Sequence, residues 1–209
     1  MELSLTVVSS FASAPSGRSD ARRNAHRILD ATAELLATDP AVSLEQVATR
    51  AGVSRATVYH HFSGRDALLD ALTERSIVEV TAAVRSARPG EGPAVEALDR
   101  VLRAAWQVVG RYRGLVLVNP RRLPRSELRR RLGPALAPIR SLLRRGRRSG
   151  EFDPELPVEW TIGVITDLIH AASGQVSSGA MRPGEAERVL LRTAGAALTG
   201  HRSPQRSRA

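Results

Sequence analysis

The 209-residue chain contains no cysteine and no lysine. The first absence excludes disulfides, zinc ribbons and thiol catalysis, and suits a reducing cytoplasm. The second makes all 31 basic residues arginine, against 21 acids. With its wealth of alanine, glycine and proline, the chain reads as the product of a GC-rich genome, so the number of arginines alone is no sign of arginine chemistry. A nucleophile beside a base, a metal-ligand cluster and a phosphate-binding glycine loop are also missing. No enzyme, no catalytic or metal residue and no cofactor is therefore expected. A signal peptide needs a positively charged start, and this chain starts Met1-Glu2. Residues 1–19 are read as a disordered N-terminal arm instead.

A membrane helix is the next feature the sequence lacks. Residues 158–178 are apolar on nearly every side and long enough to invite that reading. Glu159, Asp167 and His170 would each be costly in lipid. The stretch is better read as a helix buried on both sides.

The charge is +10 overall, which favours an anionic partner such as nucleic acid. Residues 1–120 carry 14 arginines and 13 acids, residues 121–148 carry 11 and one, and residues 149–209 carry six and seven. The excess thus lies in one stretch, whose apolar side is Leu128, Leu132, Leu136, Ile139, Leu142 and Leu143, with a break at Gly133-Pro134. A solvated helix face explains it, and attraction of acidic ligands, phosphates or a partner protein is the sharper alternative.

What the chain does have is SLEQVATRAGVSRATVYHHFSGRD, residues 43–66. Ser43 and Gln46 have the spacing of a capping box. Leu44, Val47, Ala48 and Ala51 then recur at helical spacing, and Gly52 permits a left-handed turn. Ser54 caps a second short helix, over 54–61, with Val58 and Phe62 inward. Outward it presents Arg55, Thr57, Tyr59, His60 and His61, nearly all hydrogen-bonding side chains. This pattern predicts a helix-turn-helix, whose second helix lies in the major groove of double-stranded DNA.

Residues 47–69 closely resemble the signature of the tetracycline-repressor (TetR) family of bacterial transcription regulators. The residues that carry the likeness are Ala48, Ala51 to Ser54, Thr57, Val58, Tyr59, His61, Phe62, Ser63, Arg65, Asp66 and Leu68. It covers residues 20–75 by motif and the remainder by helix layout only. The resemblance implies an all-α chain of about nine helices: a DNA-binding head over 20–66, a regulatory and dimerisation bundle over 67–200, and a disordered tail over 201–209. It implies a cytoplasmic homodimer, with no membrane role, that binds a palindromic operator, usually as a repressor, and is released by a small-molecule effector.

Within the head, Arg55 suits a guanine edge, and Thr57 and His60 suit bases or thymine methyls. By resemblance, Ser43, Tyr59, His61 and Arg65 position the DNA backbone, and Arg22 approaches it from the first helix, over 20–37. Ser63 is expected to cap the fourth helix. Candidate effector-binding residues are Trp106, Val109, Tyr112, Thr166, Asp167 and His170. Asp167 and His170, one turn apart, orient a polar ligand group or satisfy each other or the backbone at a dimer interface. Gly114 to Val118 reads as a strand by composition, and the family layout implies a short helix. Val95, Leu98, Leu102, Ala105, Trp106 and Val109 form one face of a helix over 93–112. The last two helices, more apolar than one chain needs, suggest the dimer seam. The competing expectation is a non-specific nucleic-acid-binding protein acting through residues 121–148.

Overall fold

The structure is a computed structural model and describes residues 16–199, so residues 1–15 and the tail at 201–209 lie outside the described residues. Ten helices and no strands occur among the described residues. They are α1 (Ser16–Leu36), α2 (Leu44–Ala51), α3 (Arg55–His61), α4 (Arg65–Ser86) and α5 (Ala94–Arg111). The chain continues through α6 (Arg113–Arg122), α7 (Arg125–Arg131), α8 (Gly133–Arg148), α9 (Val158–Ser177) and α10 (Pro183–Thr199). Helix α1 begins four residues before the expected start, so residues 16–19 belong to it and not to an arm.

The head folds as its caps dictate. The Ser43 hydroxyl accepts the Gln46 N–H at 3.2 Å, and the Gln46 side chain accepts the Ser43 N–H at 2.7 Å. Two N–H groups that the first turn would leave bare are thereby satisfied. At the other end of α2, Gly52 adopts φ 62° and turns the chain into α3. Side chains rarely tolerate that conformation, and a Cβ there would also lie 2.8 Å from the Arg27 guanidinium. The Ser54 hydroxyl accepts the Thr57 N–H at 3.0 Å and starts α3. Ser63 does not cap α4. Gly64 holds the N-cap position without a side-chain bond, and Asp66 lies inside the first turn.

Ile28, Leu36, Val47, Val58, Leu68 and Leu72 build the centre of the head, and the same apolar cluster runs on into Tyr112, Leu115 and Val118 of the α5–α6 segment. Head and body therefore share a continuous core. The joint is close: a Cβ on Gly114 would come within 2.0 Å of the Leu36 carbonyl oxygen. Only glycine lets α6 lie on the end of α1. The segment from Gly114 to Val118 is accordingly helical, because it packs lengthwise between elements and no strand stands ready to pair with it.

The body core gathers α4, α5, α8, α9 and α10 around Leu98, Val101, Leu102, Leu142, Leu143 and Ile165. The inward face of α5 is rotated from the expected one. Ala94 and Val101 are buried, whereas Val95 is exposed. Helix α9 is not covered all round. Thr161, Ile162 and Ile165 face inward, while Trp160 (65% exposed), Asp167, Ala171 and Gln175 form an open stripe. No helix among the described residues is long and apolar enough to cross a membrane.

Candidate functional site

Helix α3 is seven residues long, and its inward side is spent on Val58, which is fully buried. Arg55, Tyr59 and His60 are exposed, and Thr57 and His61 are half-buried. The Arg55 guanidinium sits 5.5 Å over the Tyr59 ring and donates to its hydroxyl at 3.5 Å. That hydroxyl holds the Arg55 pKa above its ordinary value. His60 and His61 meet edge to face at 5.5 Å. The outer side of α3 is thus a short row of donors and rings aimed at solvent.

The other predicted head residues divide. Arg22 is exposed and makes no ion pair among the described residues. The hydroxyls of Ser43 and Ser54 are occupied as caps, and the Ser54 hydroxyl also meets that of Thr57 at 2.7 Å. Arg65 is turned inward, where it donates to the carbonyls of Val42 at 3.1 Å and Pro40 at 2.6 Å. It clasps the loop before α2 and fixes where α2 starts. Arg27, on α1, does the same for the turn by donating to the Gly52 carbonyl at 3.2 Å. Sequence reasoning did not foresee these two clasps, since carbonyl acceptors leave no mark in residue type.

Behind the head, the body encloses a cavity of about 150 Å³. Its wall is almost wholly aliphatic, with α4 to α9 all contributing. Val109, Tyr112, Thr166 and His170 line it as expected. Trp106 does not. It is 4% exposed and packs against Ala186 and Leu190 of α10, on the far side of α5. A second pocket of about 150 Å³ adjoins the first, and both are lined by Leu128, Leu132, Leu136, Ile162, Thr166 and His170. Asp167 and Arg129 line only the second. No hydrogen bond joins Asp167 and His170 among the described residues, and the His170 Nδ1 meets the Thr166 carbonyl at 2.8 Å.

Polar groups tie the cavity wall to the head. The Tyr112 hydroxyl donates to Glu79 at 2.6 Å. Burial and then that bond push the phenol up to about 12. Glu79 also takes Arg75 at 3.1 Å and Arg111 at 2.8 Å, and Arg75 reaches Asp30 of α1 at 2.5 Å. Deeper in, the Asn119 amide donates to the Thr73 hydroxyl at 3.1 Å. The chain of contacts from cavity to α1 is therefore Tyr112, Glu79, Arg75, Asp30.

The arginine-rich segment has a similar internal use. Arg122 binds Asp66 at 3.2 Å and Asp70 at 3.5 Å. Arg131 binds Asp70, Glu74 and Glu127, and Arg140 binds Glu159. Arg145 donates to the carbonyls of Gly92 and Pro89. Arg130, bonded to Glu127 ahead of Arg131, holds that carboxyl down at about 2. Arg122, Arg130, Arg131, Arg140 and Arg145 are thus bonded to the protein's own acids and carbonyls.

The comparisons with known proteins agree with this geometry. A sequence model described as bacterial regulatory proteins, tetR family, matches residues 28–72, which span most of the head. The HTH-type transcriptional repressor LfrR of Mycolicibacterium smegmatis is 32% identical over 169 residues, 80% of this chain and 87% of that protein. Its crystal structure in complex with proflavine superposes with a TM-score of 0.68 at 27% identity, covering 84% of this chain and 96% of that one. A TetR family regulator from Marinobacter aquaeolei VT8 superposes with a TM-score of 0.67 at 19% identity, covering 88% and 100%, and shows the fold alone. The chain belongs to the TetR family of bacterial regulatory proteins.

Proposed function

We propose that the protein is a dimeric, sequence-specific repressor released from a palindromic operator by a small molecule bound in the body cavity. The observation that carries the reading is α3: a capped helix, anchored by one buried valine, that turns Arg55, Thr57, Tyr59 and His60 outward. Such a helix is suited to the major groove, with Arg55 offering two N–H donors to guanine O6 and N7. Tyr59, His61 and Arg22 serve the phosphate backbone. Ser43, Ser54 and Arg65 act indirectly, by holding α2 and α3 at the required angle.

A single α3 touches too few bases to select a site. Two-fold pairing doubles the contacts, and the open stripe of α9 supplies the seam, since Trp160 and, on α10, Val189 (44%) are large apolar side chains left bare by one chain. The cavity supports small-molecule control. It is closed by the same α5–α6 segment that shares the head's core, so an occupant that fits one placement of that segment better than another shifts the head with it. The proflavine complex of the related LfrR supports an aromatic or otherwise largely apolar effector here too.

The test is selection from random duplexes at moderate salt, with the bound fraction sequenced. An enriched palindrome is expected. Binding without enrichment, fading uniformly as salt rises, would overturn the reading.

A further inference from the structure

The turn ahead of α3 is held at both edges of one peptide. In the unit joining Gly52 to Val53, the Val53 N–H donates to the Ala48 carbonyl of α2 at 3.1 Å. The carbonyl of the same unit, on Gly52, accepts from the Arg27 guanidinium of α1 at 3.2 Å. A peptide is planar, so bonds at its two edges from two helices fix its tilt. That tilt is the hinge between α2 and α3. Gly52, at φ 62° and ψ 39° and without a Cβ, is the residue least able to hold it alone. The guanidinium also fills the space a Cβ would need. The other ties of α3 do not replace this one. The Ser54 cap on the Thr57 N–H lies within α3's own first turn and moves with it. Val58 fixes how deep the helix sits, but burial of an apolar side chain is non-directional.

Arg27 belongs to a polar ridge of α1 that reaches three neighbours. Asp30 binds Arg75 of α4 and Glu34 binds Arg50 of α2, each at 2.5 Å, and Arg27 adds the turn. Helix α1 is therefore the frame against which α3 is aimed. Aim matters more for bases than for phosphates. A productive polar constellation tolerates errors of only about 0.5 Å and 10–20°. Phosphate contacts carry no sequence information, and flexible side chains can follow the backbone. A hinge loosened at Gly52 spoils the first and spares much of the second. We propose that Arg27 is a positioning residue for base discrimination, which sets the angle at which α3 presents Arg55 and Thr57 and touches no base itself. This deepens the operator-binding reading above and rests on α3 being the base-reading helix.

The experiment compares the full chain with Arg27→Gln and Arg27→Met, both good helix formers placed at an exposed site. Anisotropy titrations use the selected operator and a shuffled duplex of the same composition, each over a range of salt. Both variants should lose about tenfold on the operator and less than about twofold on the shuffled duplex, as removal of one charged hydrogen-bond donor allows. The salt dependence on the shuffled duplex should not change. A partly unfolded preparation weakens both duplexes by one factor, so the ratio of the two affinities reports aim and not folding. Selection repeated with Arg27→Gln should lose preference at the base pairs where Arg55→Ala also loses it. Equal losses on the two duplexes, with the salt slope shallower by about one per head, would make Arg27 a phosphate contact and overturn the proposal. An unchanged ratio in both variants, or preference lost only at other base pairs, would overturn it too, and would leave the operator reading standing. A wild-type chain that enriches no palindrome would overturn both.

Discussion

Arg55 and Tyr59 hold each other in the free protein, the guanidinium lying over the ring. Part of the entropy of placing Arg55 on a base is thereby spent before DNA arrives. Arg55→Ala should cost about 1–3 kcal/mol on the selected operator and little on random duplex, as fluorescence anisotropy titrations of both would show. Equal losses on the two would make Arg55 a phosphate contact. Tyr112 supplies a second measurable property. Its ionisation is raised from 10 to about 12, by burial first and Glu79 second. A group raised in this way stabilises the fold fully below its unfolded value and loses that contribution as pH climbs through the folded one. Urea unfolding should therefore show stability falling between pH 10 and pH 12, and Tyr112→Phe should flatten that fall. At this scale the sequence was legible wherever a local pattern decides the outcome. The capping box at Ser43 and the left-handed Gly52 are set by neighbours within a few residues. It was not legible at Arg65, which resembles a phosphate-binding position and instead binds carbonyls 23 and 25 residues earlier.

Among the elements, α4 is gripped from two sides. Arg75 ties it to Asp30 of α1, while Arg122 and Arg131 tie its first turns to α6 and α7. These pairs are partly exposed, so each contributes little to stability alone. Their value is positional, since they fix α4 against α1, α6 and α7 beside the cavity. Asp30→Asn should leave effector affinity nearly unchanged and reduce, by a few fold, the factor by which effector weakens operator binding. Calorimetry of the effector with and without operator would measure both quantities. Gly114→Ala is a harsher change, because the new methyl would collide with the Leu36 carbonyl. It should lower stability by about 1–3 kcal/mol in urea titrations. Helical periodicity located nearly every element, but not the rotation of α5, where Val95 and Ala94 exchange roles, nor the direction in which Trp106 packs. Both depend on which neighbour lies across the face, and periodicity within one helix does not carry that information. The strand-like Gly114 to Val118 became a helix for the same reason.

For the molecule as a whole, Trp160 on α9 and Val189 on α10 are among the large apolar side chains that a single chain leaves exposed among the described residues. Trp160→Glu combined with Val189→Glu should shift sedimentation toward a monomer. Operator affinity should then collapse, while weak binding to random DNA persists, since half-sites are read cooperatively and phosphates are not. The charge distribution left two readings of residues 121–148, a solvated helix face and an anion-attracting surface, and in the fold Arg122, Arg131, Arg140 and Arg145 are engaged with the protein's own acids and carbonyls. A count of charges carries no record of their partners. The contact of Gly114 with Leu36 has one more consequence. A joint with no slack transmits displacement both ways, so a head seated on its operator narrows the range of shapes the cavity can take. The operator then acts as a sieve for chemistry, and a molecule welcomed by the free protein can be refused by the same protein on DNA.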